Sequence, residues 1–205
     1  SPGGERGPWP EMPYAMDNGA FPAFTKGQPF DLPAYRELLV WARDAGQAPV
    51  WALVPDVVGD RAGTLAAWHR HRDEVAAFGW PLAFAVQDGM TPADVPEGVA
   101  VIFVGGSTEW KWSTLGTWRH ALPRVHVGRV NTYRWLRVCE DAGAESVDGT
   151  GWFRANENQR EGLEQWLREV TGRAQRLCQE SLSFDSSDDT TAPGSKCYAT
   201  AALSP

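Results

Sequence analysis

The sequence predicts an α/β fold built on a parallel sheet, and three observations carry that prediction. Short apolar runs of strand length alternate with longer segments of helical spacing. Several of the apolar runs are nearly continuous, as expected for strands covered on both faces. Most helix-like segments stop at a glycine, which accepts the left-handed conformation without a Cβ clash. Strand, helix, strand in repetition gives parallel strands joined by right-handed crossovers. About six βα units are visible, and they suit a (β/α) TIM-type barrel, compact or shortened, or an open doubly wound sheet.

Residues 1–12 are rich in Gly and Pro and read as an irregular lead-in. The strand-like runs are PYAM (13–16), PVWALVP (49–55), PLAFAVQ (81–87), VAVIFVGG (99–106), RVHVGRV (124–130) and AESVDG (144–149). The first helical segment, 32–46, sets Tyr35, Leu38, Leu39 and Ala42 at helical spacing and stops at Gly46. The next, 61–79, stops at Gly79; 107–122 and 132–143 follow, the latter stopping at Gly143; 156–172 closes the series at Gly172. TPADVPEG is too short and Pro-rich for a crossover helix. A single domain over 13–180 and a flexible polar tail over 181–205 are expected. No Gly-x-Gly-x-x-Gly turn follows a strand and no Walker-type loop is present, so the nucleotide-binding versions of an open sheet lose their main signal.

Bulk properties narrow the classes further. The chain has 205 residues, of which 42% are hydrophobic, enough for a sizeable core. Its formal net charge of −7 argues against binding nucleic acid through a broad basic surface. No apolar run approaches the ~20 residues that span a bilayer, and no signal-peptide pattern opens the sequence. Cys139, Cys178 and Cys197 are odd in number and widely spaced, which suggests neither a disulfide framework nor a clustered metal site. The expectation is a cytoplasmic protein without membrane partner, metal or cofactor.

The strand ends carry the polar residues. The first run ends in Asp17, the second in Asp56, the third in Gln87, the fourth in Gly105 and Gly106, the fifth in Gly128 and Arg129, and the sixth in Asp148. In a parallel barrel all these ends face one rim, where active sites are built. Singly, an aspartate there is a helix cap or turn residue, and Asp60 and Asp88 are read that way. Together they form a site for a planar, hydrogen-bonding ligand. His69 and His71 are two apart on a helix and share no face; His120 and His126 are isolated and read as structural. Trp110 and Trp112 are read as packing residues, with stacking on a base as the alternative.

In order and spacing these motifs resemble the tRNA-guanine transglycosylase family and its relatives that insert 7-deazaguanine bases into DNA. The similar segments are MDNGAF, VPDVVGD, FAVQDG, FVGGS, HVGRVNT and ESVDGTGWFR, spread between Pro13 and Leu167. Asp148 stands three residues after Glu145 and six before Arg154, as in the family. The resemblance implies a (β/α) barrel, Asp148 as nucleophile, Asp17 as acid/base, and Asp56, Gln87, Gly105 and Gly106 as readers of a guanine-type base. Asn18 stands where the family has Ser, and Gly149 where it has Cys. The cysteine and histidine zinc site of the tRNA enzymes is not reproduced, which points to DNA rather than tRNA and to no zinc.

The chemistry fits those residue types. Breaking an N-glycosidic bond develops positive charge at C1′, which one carboxylate captures while a second acid protonates the departing base. Gly149 and Gly151 leave room for the sugar, and Gly128, Arg129 and Arg154 are placed to meet substrate, the arginines at phosphate. The expected activity is that of a pentosyltransferase exchanging guanine for a 7-deazaguanine-type base in nucleic acid. Alternatives are an N-glycoside hydrolase on a purine nucleoside and a non-catalytic purine-binding subunit. An acidic protein that flips a base out of duplex DNA, at a cost of a few kcal/mol, needs a local arginine patch or a partner protein.

Overall fold

The first apolar run contributes one residue to the sheet. The Met16 N–H donates to the Trp51 carbonyl and the Leu53 N–H donates to the Met16 carbonyl, each at 2.9 Å, a parallel bridge onto Ala52. Two residues earlier the Tyr14 carbonyl accepts the Val50 N–H at 2.8 Å without forming a further bridge, and at Gly19, where φ is 81°, the chain turns into a short helix. The computed structural model describes residues 13–154 and 157–185, the side chains of 153–154 and 178–185 excepted. The expected lead-in at 1–12 and residues 186–205 of the expected tail lie outside the described residues.

Two compact units divide the chain, Ser1–Val130 with Val138–Gly149, and Asn131–Arg137 with Thr150–Pro205. The first unit holds the strands β1 (Ala52–Leu53), β2 (Leu82–Val86), β3 (Val101–Val104), β4 (Val125–Val127) and β5 (Ser146–Val147). They form one five-stranded parallel sheet in the order β1-β2-β3-β4-β5. Strand order follows chain order without the reversal that a doubly wound sheet requires.

The sheet is curled. β1 and β4 are three strand spacings apart, about 14 Å in a flat sheet. Yet the ring of Trp51, just before β1, lies 4.9 Å from that of His126 on β4. Five curled parallel strands make a half-barrel, not the closed barrel of a full TIM fold, so the expected shortened barrel is met only in part. The inner face carries Trp51, Leu53, Ala83, Ala85, Val101 and Phe103 as one apolar cluster. The outer face carries Phe84, whose ring meets Trp68 edge-on at 5.4 Å. Both faces are covered, which explains the unbroken apolar runs; a buried side chain of this size contributes about 1.5–3 kcal/mol.

The helices of this unit are α1 (Ala20–Thr25), α2 (Leu32–Asp44), α3 (Arg61–Ala76), α4 (Thr108–Ala121) and the end of α5 (Tyr133–Asp141). α2 begins where the Asp31 carboxylate accepts the Ala34 N–H at 3.0 Å, and it buries Tyr35, Leu39 and Ala42 on one stripe. The Tyr35 hydroxyl donates to the Leu53 carbonyl at 2.6 Å, tying helix to strand. α3 begins at Asp60, which accepts the Gly63 N–H at 2.9 Å, the capping role the sequence suggests. α4 buries Lys111, Leu115 and Trp118. A single 3-10 turn at Pro92–Asp94, closed by a Thr91–Asp94 capping box, replaces a crossover helix between β2 and β3.

In the second unit lie α6 (Gly151–Arg154) and α7 (Glu157–Asp185). α7 runs through Gly172, where the sequence pattern stops it, and through 181–185, assigned by that pattern to the tail. A glycine inside a helix costs only about 1 kcal/mol, which the turns on either side absorb. The Tyr133 hydroxyl donates to the Glu169 carboxylate at 3.0 Å, and Gly162 lets the Tyr133 side chain lie against α7, since a Cβ there would stand 3.1 Å from that of Tyr133. Among the described residues no helix is long and apolar enough to cross a membrane.

Candidate functional site

Register brings the strand ends together. Ala85, Phe103, His126 and Ser146 are lateral neighbours on the inner face. Side chains alternate along a strand, so two residues further on Gln87, Gly105, Gly128 and Asp148 continue that face. The ladder carries them: the N–H groups of Gly105, Gly128 and Asp148 still donate to Val86, Val104 and Val127 at 3.2, 3.2 and 3.1 Å. On the β1 side, the Asn18 side-chain amide donates to the Val54 carbonyl at 3.2 Å and to Asp56 at 2.8 Å. Asp17 is within electrostatic reach of the Asp148 carboxylate and of the His126 ring. The two aspartates expected to share a site thus lie within electrostatic range across the rim.

Asp56 and Gln87 are buried and bonded to each other. The Gln87 amide donates to Asp56 Oδ2 at 2.7 Å, and its Oε1 accepts the Gly59 N–H at 3.1 Å. Desolvation pushes the Asp56 carboxyl up to about 6; the negative charge of Asp17 adds to this, while the amides of Asn18 and Gln87 oppose it. Asp17 is an exposed residue, yet the protein around it desolvates the carboxyl enough to raise its pKa, with the Gly19 N–H opposing and Asp148 adding repulsion.

Asp148 goes the other way. Its side chain is 49% exposed. Desolvation pulls its pKa upward, but His126, the Arg129 N–H and the positive charge of Lys111 together bring it below the usual carboxylate range. His126 Nε2 lies 3.0 Å from Asp148 Oδ2, and the Arg129 N–H donates to Oδ1 at 2.9 Å.

Three glycines of the rim have distinct reasons. A Cβ on Gly128 would stand 2.8 Å from the Phe103 ring. Gly106 has φ 69° and would meet Trp110 and Asp88 at 2.6 Å. Asp88 in turn accepts the Ser107 N–H at 2.6 Å, holding that turn in place. A Cβ on Gly105 would crowd the Val86 carbonyl at 3.3 Å. Trp110 packs on Gly106 and against Trp118, with ring centroids 5.8 Å apart, in keeping with the packing reading. Gly151, expected to leave room for a sugar, instead receives Asn131: its N–H donates to that side chain at 2.7 Å.

Arg129 is engaged within the protein. Its guanidinium donates to the Gly106 carbonyl and lies 4.4 Å over the Phe21 ring. Its φ of 59° is the one positive value at a non-glycine among the described residues. Arg154 belongs to α6 in the second unit, and its side chain is outside the described residues. Glu145 turns to Arg124 through paired bonds of 2.7 and 2.8 Å.

Two site residues escape the sequence reading. His126, read there as structural, is buried between Trp51 and Phe103, each 4.9 Å from its ring. Lys111 is 2% exposed, donates to the Gly128 carbonyl at 2.6 Å and lies 4.5 Å over the Trp112 ring. Burial lowers its pKa to about 8, with the Arg129 charge acting in the same direction. A signal existed for each. Lys111 stands four before Leu115 and seven before Trp118, on the buried stripe; His126 alternates with two valines and precedes Gly128 by two. No family model and no curated protein matches the chain.

Proposed function

We propose that the rim is the active site of a base-exchanging transglycosylase, which replaces a guanine-type base in nucleic acid by a 7-deazaguanine-type base. The observation that carries the reading is the split between two carboxyls of one rim: Asp148 is driven towards the ionised form and Asp17 towards the protonated form. Pairs whose environments push them apart are how a nucleophile and an acid are told from each other. An oxygen of Asp148 attacks C1′, the bond from C1′ to the base nitrogen breaks, and Asp17 gives its proton to the departing base. The incoming base then returns a ring-nitrogen proton to Asp17 and displaces Asp148 from C1′. Asp56 and Gln87 would read the polar edge of the base, beside the close backbone of Gly105 and Gly106. The sequence resemblance, without the zinc cysteines, favours DNA over tRNA, and the net charge of −7 favours help from a partner protein in holding the polymer.

The exposure of Asp148 also supports a second reading, in which water reaches the sugar and the base is released by hydrolysis. The test is mass spectrometry of the protein after incubation with guanine-containing DNA, RNA or nucleosides. The expected result is a sugar adduct on Asp148 that is absent in Asp148→Ala. Full activity in that variant overturns the assignment. Labelled guanine separates the outcomes: incorporation supports exchange, and release of free base alone supports hydrolysis.

A further inference from the structure

Ser146, His126 and Asp148 are the residue types of a hydrolase triad, but the ends are exchanged. In a serine hydrolase the serine meets substrate and the aspartate is the inner, orienting group. Here the His126 side chain is 6% exposed and that of Asp148 is 49% exposed. Ser146 lies beside His126 on the sheet, one step deeper on the inner face than Asp148, with its Oγ 2.8 Å from His126 Nδ1. The end that meets solvent is the carboxylate.

The ring cannot choose another partner. Phe103 stacks on it at an interplanar angle of 29° and Trp51 packs at 63°, so its plane is fixed. An ionised carboxylate only accepts, so Nε2 carries the hydrogen. In the neutral ring Nδ1 is then the acceptor for the Ser146 hydroxyl. The remaining groups facing Asp148 come from other elements: the Arg129 N–H beyond β4, Lys111 from α4 and Asp17 beyond Met16. His126 on one oxygen and the Arg129 N–H on the other block rotation of the carboxylate and leave each oxygen further lone pairs.

We propose that Ser146 and His126 are positioning residues, a relay running from the inner face to Asp148 that presents its carboxylate, oriented, to the sugar. The inference rests on Asp148 being the nucleophile of the proposed exchange.

The experiment has one arm without substrate. The carboxyl carbon of Asp148, labelled with carbon-13, is titrated by NMR in the full chain, in His126→Phe and in His126→Gln. Phe keeps an aromatic ring between Trp51 and Phe103 but donates nothing; Gln returns an N–H near the place of Nε2. The expected midpoint rises by about one pH unit or more in His126→Phe and stays near the parent value in His126→Gln. The second arm measures adduct formation on guanine-containing DNA. His126→Phe is expected to slow it by about 10–100-fold, the range for removing an orienting partner, with KM unchanged. His126→Gln is expected to recover most of the loss. An unmoved midpoint in His126→Phe, or equal rates in the two variants, overturns the relay. Ser146→Ala, which deletes only the inner hydroxyl, decides the matter should His126→Phe fail to fold: a smaller rise of the midpoint supports the relay, and none overturns it. A raised midpoint beside a parent protein that forms no adduct retains the hydrogen-bonded relay and removes the transglycosylase reading.

Discussion

The β4–β5 end of the rim surrounds its carboxylate with groups that carry or border positive charge. Asp148 meets the His126 ring, the Arg129 N–H and the field of Lys111. The end formed by Met16, β1 and β2 offers its two carboxyls neutral amides, and each other. Asp17 and Asp56 repel one another, and desolvation is the largest influence on both. Desolvation is also the largest single influence on Asp148, and there it is outweighed. Burial alone therefore does not decide which carboxyl holds its proton more tightly; the neighbouring groups do.

The comparison breaks most sharply at Asp17. Asp17→Asn is expected to slow the proposed exchange by about 10²–10⁴, the range for a lost general acid. In the parent protein an acid with a raised pKa does its work while protonated, so the chemical step falls as pH rises through that pKa. Single-turnover rates across pH should show this limb in the parent and not in the variant.

Lys111 tests the other end through stability. Its folded pKa of about 8 lies below the ordinary 10.5, so between those values the unfolded chain binds more protons and stability rises with pH. A displacement of that size corresponds to about 3 kcal/mol. Chemical denaturation between pH 7 and 10.5 should show that rise, and Lys111→Met should lose it.

A smaller effect is expected at Gly128. Gly128→Ala places a methyl against Phe103 and should cost about 1–3 kcal/mol of stability, the usual range for overpacking, measurable by denaturation. Smallest is Arg124→Gln, which opens the half-exposed pair with Glu145. Its expected cost is about 0–1 kcal/mol. Chemical denaturation of the variant beside the parent measures it.

Much of the rim was legible because its residues interrupt apolar runs: Asp56 after Val54–Pro55, Gln87 after Val86, Asp148 after Val147. The sequence of strand-ending residues needs no tertiary information. His126 and Lys111 were harder for a physical reason. Each sits where a hydrophobic residue is ordinary, and their meaning comes from partners far along the chain, Asp148 for one and Gly128 for the other. α1 was missed because six residues with Pro22 inside show little helical periodicity. The half-barrel is legible only as a shortened barrel, because the first run looks like a strand but offers the sheet a single bridge.

The unreversed order of the sheet has a consequence for how the protein is made. Ala52 pairs with Leu82, Ala83 with Val101, Ile102 with Val125 and His126 with Ser146. Each pairing closes a short loop, whose entropic cost grows only slowly with length. Each strand therefore finds its partner in the strand just before it in the chain, and Asp148, the last of the rim residues in the sequence, completes a rim whose other members all precede it.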